Sequence, residues 1–213
     1  MRAVATPFLS GRRWVLAGLA AGAVPGTARA QGALVPTPRQ TMGPFYPVDW
    51  HGDIDGDLVR VTGAAVQAQG VVTHLRGRVL DAGGRALAGA TVEIWQCDAF
   101  GRYRHPRDRA DGRDAGFQGY GRVVSGLDGS FEFRTIRPVT YPGRTPHIHV
   151  SVATGGAPLV TQFYVAGEAQ NQRDFLFNSL RDEQSREAVL LRLAAAERIE
   201  AGALLAEKDI VIG

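Results

Sequence analysis

Short runs of apolar and β-branched residues, each bounded by turn-forming residues, recur through the middle of the sequence. They read VVTHLRGRVL, ATVEIWQCD, GRVVSG, FEFRTI, HIHVSVAT and LVTQFYVAG, and they lie between residues 71 and 167. Runs of this kind, with no helical pattern alternating between them, are typical of strands in an antiparallel sheet. The sequence therefore predicts an all-β fold, an antiparallel β-sandwich, with LDGS at 127–130 as a hairpin turn between two strands.

Three segments depart from this pattern. Residues 99–119 form a long, charged, glycine-containing loop, and a loop of that length in a compact domain is usually functional or disordered. His105 and the arginines around it are most simply a solvated part of this loop. Residues 185–197 have helical composition and spacing and predict a short C-terminal helix, followed by a closing strand at 209–213. Residues 31–40 predict an extended leader before a sandwich domain at 41–213.

The first thirty residues, 1–30, differ from the rest. They combine a basic start, an apolar run over residues 14–24 and a small-residue, A-x-A-like ending. Together these features predict a signal peptide, since the apolar run is too short to span a membrane. Arg12 and Arg13 directly before the run resemble the twin-arginine signal, with an ordinary Sec signal as the alternative. We therefore expect a periplasmic or secreted protein without a membrane anchor once the signal is removed.

Charge and cysteine content exclude two further classes. The sequence has 24 Lys and Arg against 21 Asp and Glu, but residues 1–30 contain four arginines and no acidic residue. The remainder therefore carries a net charge of about −1, and nucleic acid is not an expected partner. Cys97 is the single cysteine, so an intramolecular disulfide is excluded.

Two histidines lie two positions apart in YPGRTPHIHVSV, residues 141–152. Side chains alternate along a strand, so His147 and His149 share one face about 7 Å apart, while Ile148 and Val150 face the core. Two imidazoles on one strand face suit a metal site. Two histidines on a solvated face, or a zinc or copper site that uses the histidines alone, would fit the same pattern.

The next strand supplies possible neighbours for this pair. If residues 155–156 form the centre of a two-residue turn, Gln162 lies opposite His149 and Tyr164 opposite His147. Gln162 is a polar residue in an otherwise apolar strand. It is therefore either part of a site or a simple exposed position.

Two tyrosines are the nearest oxygen donors of interest, because no acidic residue is close to the histidines in sequence. Tyr141 precedes them, and Tyr103 lies in the long loop. Phenolate is a hard, anionic donor, which favours a ferric ion over the softer metals that thiolates select. Two histidines with two tyrosines would therefore indicate Fe(III) rather than zinc.

Five segments occur in an order that is characteristic of one known family. They are TMGPFYP at 41–47, VEIWQCDAFGRYRH at 92–105, GFQGYGRVVSGLDGSFEFRTIRP at 116–138, YPGRTPHIHV at 141–150 and TQFYVAG at 161–167. On these segments the chain resembles the intradiol ring-cleavage dioxygenases, most closely the catalytic (beta-type) subunits of its protocatechuate 3,4-dioxygenase branch. The resemblance covers roughly residues 38–213. Each segment alone is a weak signal, and the combination is specific.

The resemblance implies a β-sandwich with one non-haem ferric ion per chain. Such an enzyme uses dioxygen to cleave a catechol-type aromatic, of the protocatechuate, catechol or hydroxyquinol class, between its two hydroxylated carbons. The product is a muconate-type dicarboxylate. The positions that match the metal ligands are Tyr103, Tyr141, His147 and His149.

The resemblance also implies roles for residues beside the metal. Tyr141 matches the ligand that the substrate displaces, and its released phenolate would take a substrate proton. Arg144 would stabilise negative charge on the ring, and Gln162 would position the reacting carbon. Pro44, Phe45 and Tyr46 either line the mouth of the pocket or pin the leader onto the sandwich.

Several features leave the substrate and the assembly open. Only four residues separate Pro142 from His147, where many relatives have a longer loop with a tryptophan, so we expect a more open pocket. The helical N-terminal domain of catechol 1,2-dioxygenases is absent, so their dimer is not assumed, and a homo-oligomer is an open alternative. GRVLDAGGRALAGATVEIW and DGSFEFRTI also resemble transthyretin-like or carboxypeptidase-regulatory modules, which are commonly exported and bind without catalysis. That alternative gives no reason for two tyrosines and two histidines together.

Overall fold

The computed structural model describes residues 34–213 apart from residues 49 and 110, and the signal peptide predicted at 1–30 lies outside the described residues. Within the described residues the elements are mostly strands: β1 Val72–Asp81, β2 Thr91–Trp95, β3 Tyr120–Val124, β4 Ser130–Ile136, β5 His147–Ala153, β6 Leu159–Val165, β7 Leu190–Leu191, β8 Leu193–Ala195, β9 Leu204–Glu207 and β10 Ile210–Ile212. A 3-10 helix at Ala169–Arg173 and two short α-helices, α1 Phe175–Ser179 and α2 Glu183–Ala188, lie between β6 and β7. These helices are too short to cross a membrane.

The strands form two five-stranded sheets. One has the order β10-β1-β9-β8, with β4 also paired to β1, and the other has the order β3-β2-β5-β6-β7. The all-β sandwich prediction is therefore confirmed. Antiparallel pairing joins most of the long strands, but β1 pairs in parallel with β9 and β10, and β6 pairs in parallel with β7.

Alternation along β5 divides its side chains between the core and a second cluster. Ile148, Val150 and Val152 belong to the hydrophobic core, which also contains residues of β1 and β4 from the other sheet. His147 and His149 face the other way and are each 1% exposed. The predicted strand face is therefore confirmed, and the solvated alternative for the two histidines is wrong.

The predicted hairpin at 127–130 is wrong about strand pairing. A tight turn is present, because the Gly126 N–H donates to the Ser130 carbonyl at 2.9 Å. However, β3 pairs with β2 while β4 pairs with β1, so the turn carries the chain from one sheet to the other. Phe131 and Phe133 of β4 are buried in the core between the sheets. The turn sequence specifies the local bend, but the burial of Phe131 and Phe133 determines that β4 pairs with β1.

The helix predicted at 185–197 is mostly wrong. Helix α2 ends at Ala188, and the following residues form the short strands β7 and β8. Val189 and Leu191 are fully buried, and β7 extends the sheet beside β6. Pairing at the sheet edge buries these apolar side chains in the core, which outweighs their local helix propensity.

The segment before the sandwich is extended and follows the surface of the two sheets. Thr37 is buried, its N–H donates to the Val211 carbonyl, and its hydroxyl accepts from the Val211 N–H. The Gln40 N–H donates to the Val160 carbonyl in β6. These bonds bring residues 41–46 alongside the face of β5 and β6 that carries the histidines.

Candidate active site

The two histidines of β5 converge on one point. His147 Nε2 and His149 Nε2 lie 3.2 Å apart, and His147 Nδ1 lies 2.6 Å from the Thr145 carbonyl oxygen. Because a carbonyl can only accept, His147 carries its proton on Nδ1 and presents a lone pair at Nε2. Burial, with the charge of Arg144, lowers the pKa of His147 to about 4, and burial with the neighbouring His147 lowers the pKa of His149 well below its usual value. Both rings are therefore neutral at pH 7 and can act as nitrogen ligands.

The predicted register between β5 and β6 is confirmed. Gln162 lies opposite His149, and Tyr164 lies opposite His147. Gln162 is fully buried, so the alternative of a simple exposed position is wrong. The alternation of side chains and the position of the turn were therefore enough to predict that the Gln162 amide lies opposite His149.

The two predicted tyrosine ligands lie beside the histidines. The ring of Tyr141 is 5.5 Å from that of His147, and the ring of Tyr103 is 6.1 Å from that of His149. The two phenol rings are 5.5 Å apart, edge to face. The four side chains thus form a closed circle of neighbouring rings, although they come from the long loop, from the segment before β5 and from β5 itself.

The donor set of this circle fits a ferric ion. The Tyr103 hydroxyl is buried, with the Tyr141 phenol as a close polar neighbour, and no protein group of opposite charge is among its hydrogen-bond partners in the described residues. Burial raises the pKa of Tyr103 well above its usual value and also raises that of Tyr141. Within the described part of the chain, no group of three or more His, Cys, Asp or Glu side chains could hold a metal. A metal held here by more than the two histidines would therefore use the phenolates, which are hard donors that favour Fe(III).

Aromatic side chains pack against the candidate ligands. Trp95 stacks on His149 with a centroid distance of 4.9 Å and an interplanar angle of 6°. Phe45 stacks on Tyr103 at 4.5 Å. Trp95 and Cys97 are buried, and burial raises the pKa of the Cys97 thiol to about 12. These contacts fix the ring planes and keep water from the rear of the site.

The three residues predicted for the pocket mouth have different surroundings. Phe45 contacts Tyr103, as described above, while Pro44 is exposed. Tyr46 packs edge-on against Trp95 at 4.9 Å and donates its hydroxyl proton to Glu93 at 3.2 Å. The structure therefore brings Phe45 to the candidate ligands and places the Tyr46 hydroxyl at Glu93, behind Trp95.

The long loop is held in place by its own carboxylates. The Tyr103 N–H donates to Asp108 Oδ2 at 2.6 Å, and Asp98 accepts from the N–H groups of Phe100 and Arg102. His105 is 5% exposed, so its assignment to a solvated surface is wrong. The turn formed by these bonds directs the Tyr103 side chain inward, and the His105 side chain is buried as well.

Arg144 and Gln162 contact each other beside Tyr141. Arg144 Nη2 donates to Gln162 Oε1 at 2.6 Å, and its Nη1 lies 3.4 Å from the Tyr141 hydroxyl. Gln162 Nε2 donates to the Thr41 carbonyl at 3.0 Å, which fixes the orientation of its amide. Sequence reasoning missed Asp174, whose buried carboxylate lies 2.8 Å from Arg144 Nε. Its only signal was an aspartate directly before a short helical segment.

Comparisons with known proteins show which family the chain is similar to. A family model described as Dioxygenase matches residues 41–202. The protocatechuate 3,4-dioxygenase beta chain of Burkholderia cepacia is 34% identical over 184 residues, which are 82% of this chain and 78% of that protein. The alpha chain from the same organism is 33% identical, over 76% of this chain and 86% of that protein.

A solved structure shows the same fold. The dioxygenase domain of a dioxygenase and carbohydrate-binding protein fusion from Streptomyces sp. SirexAA-E superimposes with a TM-score of 0.63 and 31% identity, covering 84% of this chain and 98% of that one. The matches decide against the alternative of a non-catalytic transthyretin-like module. The chain therefore belongs to the intradiol ring-cleavage dioxygenases, oxidoreductases that use dioxygen to open the rings of catechol-type substrates.

Proposed function

We propose that this protein is a ferric-iron-dependent enzyme that cleaves a catechol-type ring between its two hydroxylated carbons. One Fe(III) per chain would be held by Tyr103, Tyr141, His147 and His149. The observation that carries the proposal is the convergence of two neutral imidazole nitrogens, 3.2 Å apart, beside the buried phenol of Tyr103 and the half-buried phenol of Tyr141.

A bound ferric ion would supply a Lewis acid that makes the catechol reactive toward dioxygen. The residues of the chain supply the rest. Tyr141 is more exposed than Tyr103 and lies beside Arg144, so this is the open side of the site. The pKa of a tyrosine phenol is ordinarily near 10 and burial raises that of Tyr141, so a free Tyr141 phenolate would be basic enough to accept a proton from a catechol hydroxyl. Tyr103, enclosed by Phe45 and the long loop, would stay in place.

Arg144 supplies a fixed positive charge at the open side of the site. Its guanidinium is held toward Tyr141 and Gln162, next to the position that a displaced Tyr141 would vacate. A preorganised cation there stabilises negative charge that develops on the substrate. The Gln162 side-chain oxygen accepts a hydrogen bond from the guanidinium. The hydrogen bond from the Gln162 amide to the Thr41 carbonyl fixes the orientation of that amide.

The substrate class proposed is protocatechuate, catechol or hydroxyquinol. The two protocatechuate 3,4-dioxygenase chains among the relatives favour protocatechuate, and the short segment between Pro142 and His147 favours a more open pocket. Because those relatives are an alpha and a beta chain, we include an oligomer in the proposal, formed by this chain alone or with a second chain.

Metal analysis and a visible spectrum test the proposal first. We expect about one iron per chain and a phenolate-to-iron absorption band, and we expect oxygen uptake without NADH when a catechol is added. A panel of catechol, protocatechuate, hydroxyquinol and chlorinated catechols identifies the substrate through the muconate-type product. Zinc or no metal in the isolated protein, together with no phenolate band after ferric reconstitution, would contradict the proposal.

The two tyrosines are distinguished by matched substitutions. Tyr141→Phe should retain iron and bind catechol but lose most turnover, because the internal base is removed. Its colour should weaken without disappearing, since Tyr103 still donates. Tyr103→Phe should lose iron affinity and colour even with catechol bound. Normal turnover by Tyr141→Phe, with Tyr103→Phe alone inactive, would show that the roles are reversed.

We also propose that the chain is exported through the twin-arginine route, on the basis of Arg12 and Arg13 before the apolar run. That route carries folded proteins, so iron could be loaded before export. Residues 1–35 fused to a reporter that only this route can deliver should reach the periplasm. Changing both arginines to lysine should abolish delivery. Delivery that persists, or that depends on the Sec machinery, would refute this part of the proposal.

A further inference from the structure

A buried carboxylate lies behind the candidate site. The Asp174 side chain is 0% exposed and accepts four hydrogen bonds. Its Oδ2 accepts from Arg144 Nε at 2.8 Å and from the Thr145 N–H at 3.1 Å, while its Oδ1 accepts from the N–H groups of Leu176 and Phe177 at 3.0 Å. Both carboxylate oxygens therefore accept hydrogen bonds: Oδ2 from groups next to the candidate site, and Oδ1 from the first turn of α1.

The guanidinium of Arg144 is oriented from three directions. Nε donates to Asp174, Nη2 donates to Gln162, and Nη1 faces the Tyr141 hydroxyl. The Arg144 side chain is 10% exposed, and the ring of Phe175 covers it at 5.6 Å from Cζ. Among the described residues, Asp174 is the only carboxylate within ion-pair distance of Arg144. Charge neutralisation and the plane of the guanidinium therefore both depend on Asp174.

The same carboxylate also reaches the histidine strand. Thr145 donates its N–H to Asp174, and its carbonyl accepts from His147 Nδ1 at 2.6 Å. The Thr145 hydroxyl is fixed in turn by Asn171 at 2.7 Å. Asp174 thus holds the backbone N–H of the residue whose carbonyl sets the tautomer of His147.

We propose that Asp174 is a positioning residue for the reaction. It holds Arg144 against Tyr141 and Gln162, and it fixes the backbone N–H of Thr145, the residue whose carbonyl contacts His147, without touching the substrate. What Arg144 does for turnover rests on the proposed function. The contact between Asp174 and Arg144 is a property of the protein without metal, so the two can be tested separately.

The competing explanation is that Asp174 only caps a helix. Asp174 is the N-cap of α1, and N-cap aspartates stabilise helices by accepting the first free N–H groups. The chain offers a matched control, because Asp182 is the N-cap of α2 and accepts from the Ser185 N–H at 2.7 Å. Asp182 is exposed, and its bonds stay within its own helix. Asp182→Asn therefore alters a cap without altering Arg144.

The first measurement needs no metal. We expect the Arg144 Nε–H to give a slowly exchanging NMR signal in the iron-free protein, assigned by its loss in Arg144→Lys. Asp174→Asn should shift this signal and make its exchange fast, and Asp182→Asn should leave it unchanged. An unchanged signal in Asp174→Asn would overturn the proposal, whatever the activity of the enzyme.

The second measurement is turnover per bound iron. Asp174→Asn should lower kcat about 10- to 100-fold, as is typical when an outer partner of a site is lost, with KM changing less than about threefold. Asp182→Asn should keep the wild-type kcat per iron. Equal values for the two variants would mean that Asp174 is only a cap. If wild type itself shows no turnover, the proposed function fails and the NMR result alone decides the role of Asp174.

Two further variants keep the test decisive. If Asp174→Asn does not fold, Asp174→Ser retains an oxygen for the α1 N–H groups and removes the carboxylate from Arg144. It should show the same loss of kcat. In an Arg144→Gln background, Asp174→Asn should cause little further loss, because Arg144→Gln removes the cation that Asp174 orients. A full additional loss would show that Asp174 does not act through Arg144, and would overturn its assignment as the residue that positions Arg144.

Discussion

Gly43 lies against the ring of His149 and has a backbone φ of +74°, in the left-handed region. A Cβ at this position would be 3.2 Å from His149 Cε1, closer than ordinary packing allows. We expect Gly43→Ala to destabilise the protein by about 1–3 kcal/mol through backbone strain, and to weaken iron binding by displacing His149. Urea unfolding and a chelator-buffered iron titration measure the two effects.

Gly63→Ala is the control for that substitution. Gly63 has a nearly equal φ of +81°, but a Cβ added there would meet no other atom within 4 Å. The Gly63→Ala protein should show the strain and keep the iron affinity. If Gly63→Ala weakens iron binding as much as Gly43→Ala, the contact with His149 does not explain the effect.

At the residue scale, the sequence could place some of the site and not the rest. Alternation put His147 and His149 on one face, and the glycine turn put Gln162 opposite His149. Tyr103 and Tyr141 were candidate oxygen donors from the sequence, but their assignment as ligands came from the family resemblance, because a loop has no periodicity from which an orientation can be predicted. From the sequence, Asp174 could be predicted only as a helix cap. Its contact with Arg144 depends on the path of the chain after β6, which the local sequence does not specify.

At the element scale, strand positions were predictable and strand partners were not. Each long strand has apolar residues on the face that meets the core, which is a local property. Whether β4 pairs with β3 or with β1 is decided by which sheet buries Phe131 and Phe133. The same applies to Val189 and Leu191, which are buried beside β6 instead of continuing α2. Local propensity cannot weigh such distant contacts.

An ion pair between distant elements leads to a pH prediction. Glu200, in the segment between β8 and β9, accepts from Arg134 of β4 at 2.8 and 2.6 Å and contacts His74 of β1 at 3.1 Å. The hydrogen bond from Arg134 is the main cause that lowers the pKa of Glu200 from 4.5 to about 2. Because the folded pKa is the lower one, the stabilisation is present above pH 4.5 and is lost as the pH falls toward 2.

Glu200→Gln should therefore lower the free energy of unfolding by about 1–2 kcal/mol at pH 7 and reduce its dependence on pH between 4.5 and 2. Chemical denaturation at a series of pH values measures both changes. Glu197→Gln is the control, since Glu197 lies in the same segment and accepts from the Gly202 N–H rather than from a cation. An unchanged pH dependence in Glu200→Gln would show that this ion pair does not contribute to acid sensitivity.

At the scale of the whole molecule, the candidate site exists only when the chain is folded. Its parts come from the segment at 41–46, the long loop, the segment before β5, strands β5 and β6, and the turn before α1. In the unfolded chain these donors are far apart, so a metal that binds them stabilises the folded state. Metal removal should then be visible as a loss of stability throughout the sandwich.

We expect the iron-loaded protein to unfold at a higher urea concentration than the iron-free protein. Free iron at about 1,000 times its Kd would add about 4 kcal/mol to the free energy of unfolding. Tyr103→Phe should lose most of this difference, and His51→Ala, which changes an exposed histidine, should keep it. Equal unfolding curves with and without iron would contradict a folded-state iron site. Equal protection by zinc would show that the phenolates do not determine the metal, because zinc could then be held by His147 and His149 alone.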